Sequence, residues 1–131
     1  MYTMKQTCEL TNASYETLKF YCNQGLVPHV KRDANNRRVF DDQDIAWINS
    51  LLCLRSCGLS MAEMKRYVHL CLQGKSSIPE RKELLECKRR ELLAKEKELQ
   101  SALDYIDHEQ RLYDDVLSGK IPYVSTLTVH H

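Results

Sequence analysis

The sequence predicts a mainly α-helical chain: an N-terminal winged helix-turn-helix, then one long antiparallel coiled-coil dimerisation helix. Three observations carry that expectation. Two short helical patterns joined by a polar turn open the chain, between Thr3 and Gly25. A basic segment with a run of turn-forming residues follows, between His29 and Phe40. From Pro79 to about Leu117 the chain then runs on without another Gly or Pro, and Leu85, Leu92, Leu99, Ile106 and Tyr113 recur at seven-residue steps.

Composition narrows the function classes. The 131 residues suffice for one modest domain plus an extended element. The net charge is only +1, so an anionic partner has to be met by local charge. Lys31, Arg32, Arg37 and Arg38 lie within eight residues, opposed only by Asp33. Alone, such a run is an ordinary solvated loop. Six cysteines would suit a secreted disulfide scaffold. The N-terminus, however, lacks the apolar core of a signal peptide. No stretch approaches the roughly 20 apolar residues of a membrane span. A cytoplasmic protein with free thiols and no membrane partner is expected. There is no Gly-rich phosphate loop, no paired-carboxylate signature and no Ser-His-Asp arrangement. Neither an enzyme nor a resident cofactor or metal is expected.

The elements follow in order. Thr3 caps a short helix to about Leu10, with Met4, Thr7, Cys8 and Leu10 available for its inner face. Thr11-Asn12-Ala13 makes a polar turn. Ser14 is the next N-cap, and the helix from Tyr15 presents Leu18 and Cys22 inward. Gly25 stops it. Two short helices joined this way form a helix-turn-helix. Pro28 keeps its predecessor extended. His29–Lys31 and Arg37–Phe40 pair as short strands around Asp33-Ala34-Asn35-Asn36, giving a small wing. Asp41 or Asp42 caps a helix carrying Ile45, Ile48, Leu51, Leu52 and Arg55 to Gly58. Trp47, the only tryptophan, is a core or interface anchor. Ser60 and Glu63 form a capping box for a fourth helix, with Met64, Tyr67, Val68 and Leu72 on its apolar side. Residues 1–74 form the DNA-binding unit, 75–79 a linker, 80–118 the dimerisation helix and 119–131 a tail.

The long helix carries Leu84, Leu93, Leu103 and Val116 beside its heptad positions. Charges of both signs fill the remainder. At about 1.5 Å per residue it spans close to 60 Å, more than one small domain can cover. A single copy leaves its seam wet, so a homodimer is expected.

The residues also carry a family resemblance over positions 1 to about 118. Glu16-Thr17-Leu18-Lys19-Phe20-Tyr21 resembles the T-L-R-Y-Y block of the MerR family of bacterial transcription regulators. Gly25-Leu26-Val27-Pro28 is similar to its G-L-L-P. Asn35 to Phe40 resembles N-G-x-R-x-Y, and Asp41 to Ile45 its acidic helix start. Gly58 to Met64 resembles G-(F/L)-S-(L/I)-x-E-(I/M). Lys19 stands where an Arg is usual, which keeps the charge but loses bidentate phosphate geometry. Phe20 replaces a Tyr, Cys22 a Glu, and Asn36 a wing glycine. The resemblance implies a regulator that binds double-stranded DNA in an over-long promoter spacer. It would activate by bending and untwisting that DNA for RNA polymerase.

On this basis Lys19, Tyr21, Lys31, Arg32, Arg37 and Arg38 are the basic-face candidates, with Lys19, Tyr21, Arg37 and Arg38 foremost for phosphates. Tyr15, Glu16, Thr17 and Phe20 are candidates to touch bases, although Phe20 has an equal claim to the core. A dimer with two such heads implies a two-fold operator. Cys53 and Cys57 share one helix face beside Arg55, and a nearby cation favours the reactive thiolate. The string Cys53-Leu-Arg-Ser-Cys-Gly-Leu-Ser resembles the thiol-reactive branch of the family, as do Leu72-Gln73-Gly74 and Glu80-Arg81. That branch answers aldehydes and quinones, which makes Cys53 the expected stress sensor. Two alternatives stand beside this one. The first is a metal-responsive regulator using Cys53, Cys57 or the terminal His130 and His131, which are equally a tag remnant. The second is an effector-independent architectural protein or coiled-coil adaptor.

Overall fold

The computed structural model describes residues 1–123. Among these the chain forms five α-helices and a two-stranded wing. They divide into two units, one from Met1 to Lys88 and one from Arg89 onward.

Helix α1 spans Met4–Thr11. Thr3 Oγ1 accepts from the Gln6 amide at 3.1 Å, and the Thr3 amide donates to Gln6 Oε1 at 2.9 Å. This reciprocal cap satisfies two otherwise orphaned donors. Asn12 ends the helix in the left-handed region, at φ 59°. The inward stripe is Met4, Thr7, Cys8 and Thr11, the spacing of one helical face. Leu10, expected inward, falls off this stripe and is 54 % exposed. Thr11 is tolerated inside because its hydroxyl donates to the Thr7 carbonyl at 2.7 Å.

Helix α2 spans Tyr15–Asn23. Ser14 Oγ accepts from the Thr17 amide at 3.1 Å. Gly25, at φ +75°, turns the chain so that the Leu26 amide reaches the Tyr21 carbonyl at 3.0 Å. The wing is shorter than the sequence predicts. Strand β1 (Lys31–Arg32) pairs antiparallel with β2 (Arg38–Val39). Pro28 and His29 form a turn instead of extending β1. Asp33 Oδ1 pins the wing tip by accepting from the Asn35 and Arg37 amides at 2.9 and 3.0 Å. Asn36 supplies the positive φ of 59° expected of it. Tyr2 extends the ladder by bridging Phe40.

Helix α3 (Asp42–Ser56) opens on a cap in which Asp41 and Asp44 bond reciprocally. Its Trp47 donates Nε1–H to the Leu26 carbonyl at 2.7 Å, fastening the segment after α2 to α3. Helix α4 (Met61–Leu72) starts on the Ser60–Glu63 capping box. Leu18, Tyr21, Leu26, Val27, Phe40, Ile48, Leu51, Leu59, Met64 and Val68 form one continuous core. On α4, Leu70 is buried and Leu72 is exposed, the reverse of the expected phase.

The expected linker is a 3₁₀ turn, Lys75–Ser77, and α5 begins at Ile78 and runs to Leu117. The Ser77 hydroxyl bonds the Leu70 carbonyl. Arg81 Nε donates back to Ser77 Oγ at 2.9 Å. Leu84 packs on the N-terminal core, and Lys88 Nζ meets Glu63 Oε1 at 3.1 Å. Leu84, expected beside the heptad positions, thus packs within its own chain. Beyond Lys88, Leu92, Leu93, Leu99, Leu103, Tyr105, Ile106, Tyr113 and Leu117 are exposed, while Val116 is half-buried. After Leu117 the chain reverses, and the Lys120 amide bonds the Asp115 carbonyl at 2.9 Å. His130 and His131 lie outside the described residues.

Candidate nucleic-acid interface

Helix α2 projects from the N-terminal core along one line of contact, set by Leu18 and Tyr21 three residues apart. Everything else on the helix is placed by that phase. Tyr15, Glu16, Lys19 and Phe20 are exposed, and Thr17 is half-buried beside its cap. The two adjacent aromatics are thereby settled. Phe20 points outward at 47 % exposure, and Tyr21 is 4 % exposed. Tyr21, expected at a phosphate, packs with the core and also lines the second cleft described below. Burial pushes its phenol above the ordinary value, with Arg55 partly opposing. Cys22, expected inward, is half-buried. Burial pushes its thiol up, partly offset by Arg38.

A cleft lies on each side of α2. The first, of about 610 Å³, is lined by Thr3, Met4, Lys5, Tyr15, Arg32, Asp33, Arg37 and Arg38. Three elements thus bring four cations to one concavity: α1, β1 and the far arm of the wing. Arg32 Nη1 donates to the Asn36 carbonyl at 2.9 Å, and Arg38 Nη2 to Asn23 Oδ1 at 2.6 Å. These bonds hold the two guanidinium groups in place while leaving other donors on each planar fork. Lys31 is directed elsewhere. Its Nζ lies 2.8 Å from Asp41 Oδ2. That hydrogen bond holds the Lys31 ammonium above its ordinary value and brings the Asp41 carboxyl down to about 2. Of the expected cations, Lys31 is therefore the one already matched by an anion.

The second cleft, of about 560 Å³, is lined by Glu16, Thr17, Phe20, Tyr21, Arg55, Ser60 and Met61. It sets the outer face of α2 against the turn between α3 and α4. Arg55 Nη1 reaches the Leu59 carbonyl at 3.4 Å across this turn. The sequence reasoning missed Lys5, Arg55 and Ser60 at these clefts. Each stands alone among uncharged or acidic neighbours, and only the folded chain carries it to α2.

Cys53 and Cys57 are exposed on α3 and at its C-cap, as is Cys87 on α5. Cys8, Cys22 and Cys71 are half-buried, and all six are free. Among the described residues no three His, Cys, Asp or Glu side chains converge in a way that would hold a metal ion. Among them, too, no helix is long and apolar enough to cross a membrane.

Comparison with known proteins agrees with this geometry. Residues 2–70 match the MerR HTH family regulatory protein model. An HTH-type transcriptional regulator of Haemophilus influenzae is 33 % identical over 112 residues, which are 86 % of this chain and 83 % of that protein. The regulator AdhR of Bacillus subtilis is 36 % identical over 77 residues, 59 % of this chain and 55 % of AdhR. Among solved structures, HiNmlR, a MerR family regulator lacking the sensor domain and bound to promoter DNA, superposes with a TM-score of 0.74. It is 32 % identical and is covered over 89 % of each chain. A MerR family regulator from Listeria monocytogenes superposes with a TM-score of 0.79 at 30 % identity, over 92 % of this chain and 91 % of that one. These relatives are regulators, not enzymes. With motifs, fold and a nearly full-length relative in agreement, the chain belongs to the MerR family and is a helix-turn-helix, DNA-binding transcriptional regulator.

Proposed function

We propose that two copies of this chain bind one two-fold-symmetric operator, pairing through α5 and each inserting α2 into a major groove. The observation that carries this reading is the pair of clefts flanking α2. Lys5, Arg32, Arg37 and Arg38 grip the backbone on one side. Arg55 and the exposed start of α4 grip it on the other. Tyr15, Glu16, Lys19 and Phe20 stand between them, facing base edges and flanking phosphates. HiNmlR was captured on promoter DNA, and this chain would engage DNA in the same sense. The bound dimer activates by stabilising a bent, untwisted promoter for RNA polymerase. Such deformation costs several kcal/mol and is offset by contacts from both heads.

Cys53 is the proposed sensor. It is exposed one helical turn before Cys57, where α3 gives way through Gly58 to α4. Its thiol adds to the electrophilic carbon of an aldehyde or quinone, and the S–H proton ends on the acceptor. The adduct would sit at the end of the helix whose next turn lines the second cleft. A promoter-reporter assay tests the reading. Aldehyde should induce the wild type and fail to induce Cys53→Ser, with operator binding retained. Equal induction of both removes Cys53 from the mechanism.

A further inference from the structure

The phase of α2 sets one side chain ahead of the others. Leu18 and Tyr21 are its buried residues and fix the direction of the core. At about 100° per residue, the direction opposite their midpoint passes within about 10° of Glu16. Lys19 and Phe20 lie about 50° to either side of that direction, and Tyr15 about 90° from it. Thr17 is half-buried, and its hydroxyl accepts from the Ser14 hydroxyl at 2.8 Å. Glu16 is exposed, in the first turn of the helix. Its carboxylate makes no hydrogen bond or ion pair among the described residues. Arg55 lines the same cleft, yet its guanidinium reaches the Leu59 carbonyl instead.

An acid at this leading position is unfavourable towards DNA as such. The cations in the flanking clefts draw phosphates in, and a carboxylate repels them. An acid in the first turn does complement the helix dipole. That benefit does not require the outermost position, since the places of Tyr15 and Thr17 would supply it as well. The chemistry of the base edges gives the outermost position a use. A carboxylate is an acceptor only. In the major groove guanine presents N7 and O6 and thymine presents O4, all acceptors that repel it. Adenine sets its amino donor beside the N7 acceptor, whereas cytosine offers its N4 amino donor alone. A carboxylate carried into the groove therefore gains most at cytosine.

We infer that Glu16 is a specificity-determining residue of α2, accepting a hydrogen bond from the N4 amino group of one cytosine in each half-site and penalising other bases there. This inference rests on the reading that α2 enters the major groove, and it names the base that the helix selects.

Selection of bound duplexes from a randomised pool, with the wild type, Glu16→Gln and Glu16→Ala side by side, tests it. The wild type should prefer cytosine about five-fold or more at one position of each half-site. A glutamine carries a donor beside its acceptor and suits adenine N6 and N7. Glu16→Gln should therefore move that one position towards adenine and leave the others unchanged. Glu16→Ala should leave the position without preference. By fluorescence anisotropy both variants should bind a scrambled duplex more tightly than the wild type, because each chain has lost a negative charge from its DNA face. A wild-type site without such a cytosine, or a cytosine that both variants keep, would overturn the inference. Tighter binding to every duplex with no position altered would also overturn it and leave Glu16 a helix-end charge only. Glu16→Gln keeps the size of the side chain, so its result decides the matter where Glu16→Ala fails to fold. No sequence enriched by the folded wild type would instead remove the major-groove reading itself.

Discussion

Removing one wing cation should change how binding depends on salt, by an amount the geometry fixes. Arg37 is exposed and lines the cleft between the wing and the start of α2. If each Arg37 neutralises one phosphate, a dimer of Arg37→Ala releases two fewer counterions. The slope of log K against log[salt] should then flatten by about 1.8, at 0.9 per phosphate. Between about 50 and 200 mM salt the wild type should lose about ten-fold more affinity than the variant. Fluorescence anisotropy with a labelled operator duplex and a scrambled duplex of equal length measures both slopes. The flattening should be the same on the two duplexes, because phosphates carry no sequence. Lys31→Ala is the internal control. Its ammonium already sits 2.8 Å from Asp41, so its slope change should be the smaller of the two. An unchanged slope for Arg37→Ala would refute the placement of this arginine on the DNA backbone.

Other outcomes follow from the same structure. Trp47→Phe removes the donor to the Leu26 carbonyl and should cost about 1–2 kcal/mol in urea unfolding. The Asp41 carboxyl has its folded-state value lowered from 3.8 to about 2, so its contribution is present above 3.8 and lost as pH falls towards 2. Asp41→Asn keeps a capping side chain, and its melting temperature should lack that acid-side loss. Gly25→Ala forces a side chain into φ +75° and should destabilise by about 1 kcal/mol in the same urea assay. Peptide mass mapping after brief electrophile treatment should find the adduct on Cys53 before the half-buried Cys8, Cys22 and Cys71.

Much of this was legible in the chain because it is local. Ser14, Asp41 and Ser60 are caps within three residues of the amides they satisfy, and each acts as its sequence position implies. Asn36 adopts the positive φ that its place in the turn requires. Helical phase was harder where elements are short. On α2, Leu18 pairs inward with Tyr21 at i+3, which turns Phe20 out. Two aromatics side by side give no local sign of which is which. On α4 the buried position is Leu70, not Leu72, because Ser77 and Gly74 fold back under that end. The clefts beside α2 were the least legible. Lys5 and Arg55 reach the same helix from positions fifty residues apart, and no spacing rule joins them. The heptad pattern on α5 was visible, yet its flanks changed. Leu84 is used by the core and Val116 is half-buried, while Leu93 and Leu103 stay exposed.

In the proposed dimer, two α2 heads read one stretch of duplex. Selecting bound duplexes from a randomised pool, then weighing the complex by sedimentation equilibrium, tests it most directly. The expected result is an enriched inverted repeat, its half-sites spaced by about 10.5 base pairs or a multiple, carrying two chains per duplex. Enrichment of a lone half-site bound by one chain, or of no sequence at all, would contradict it.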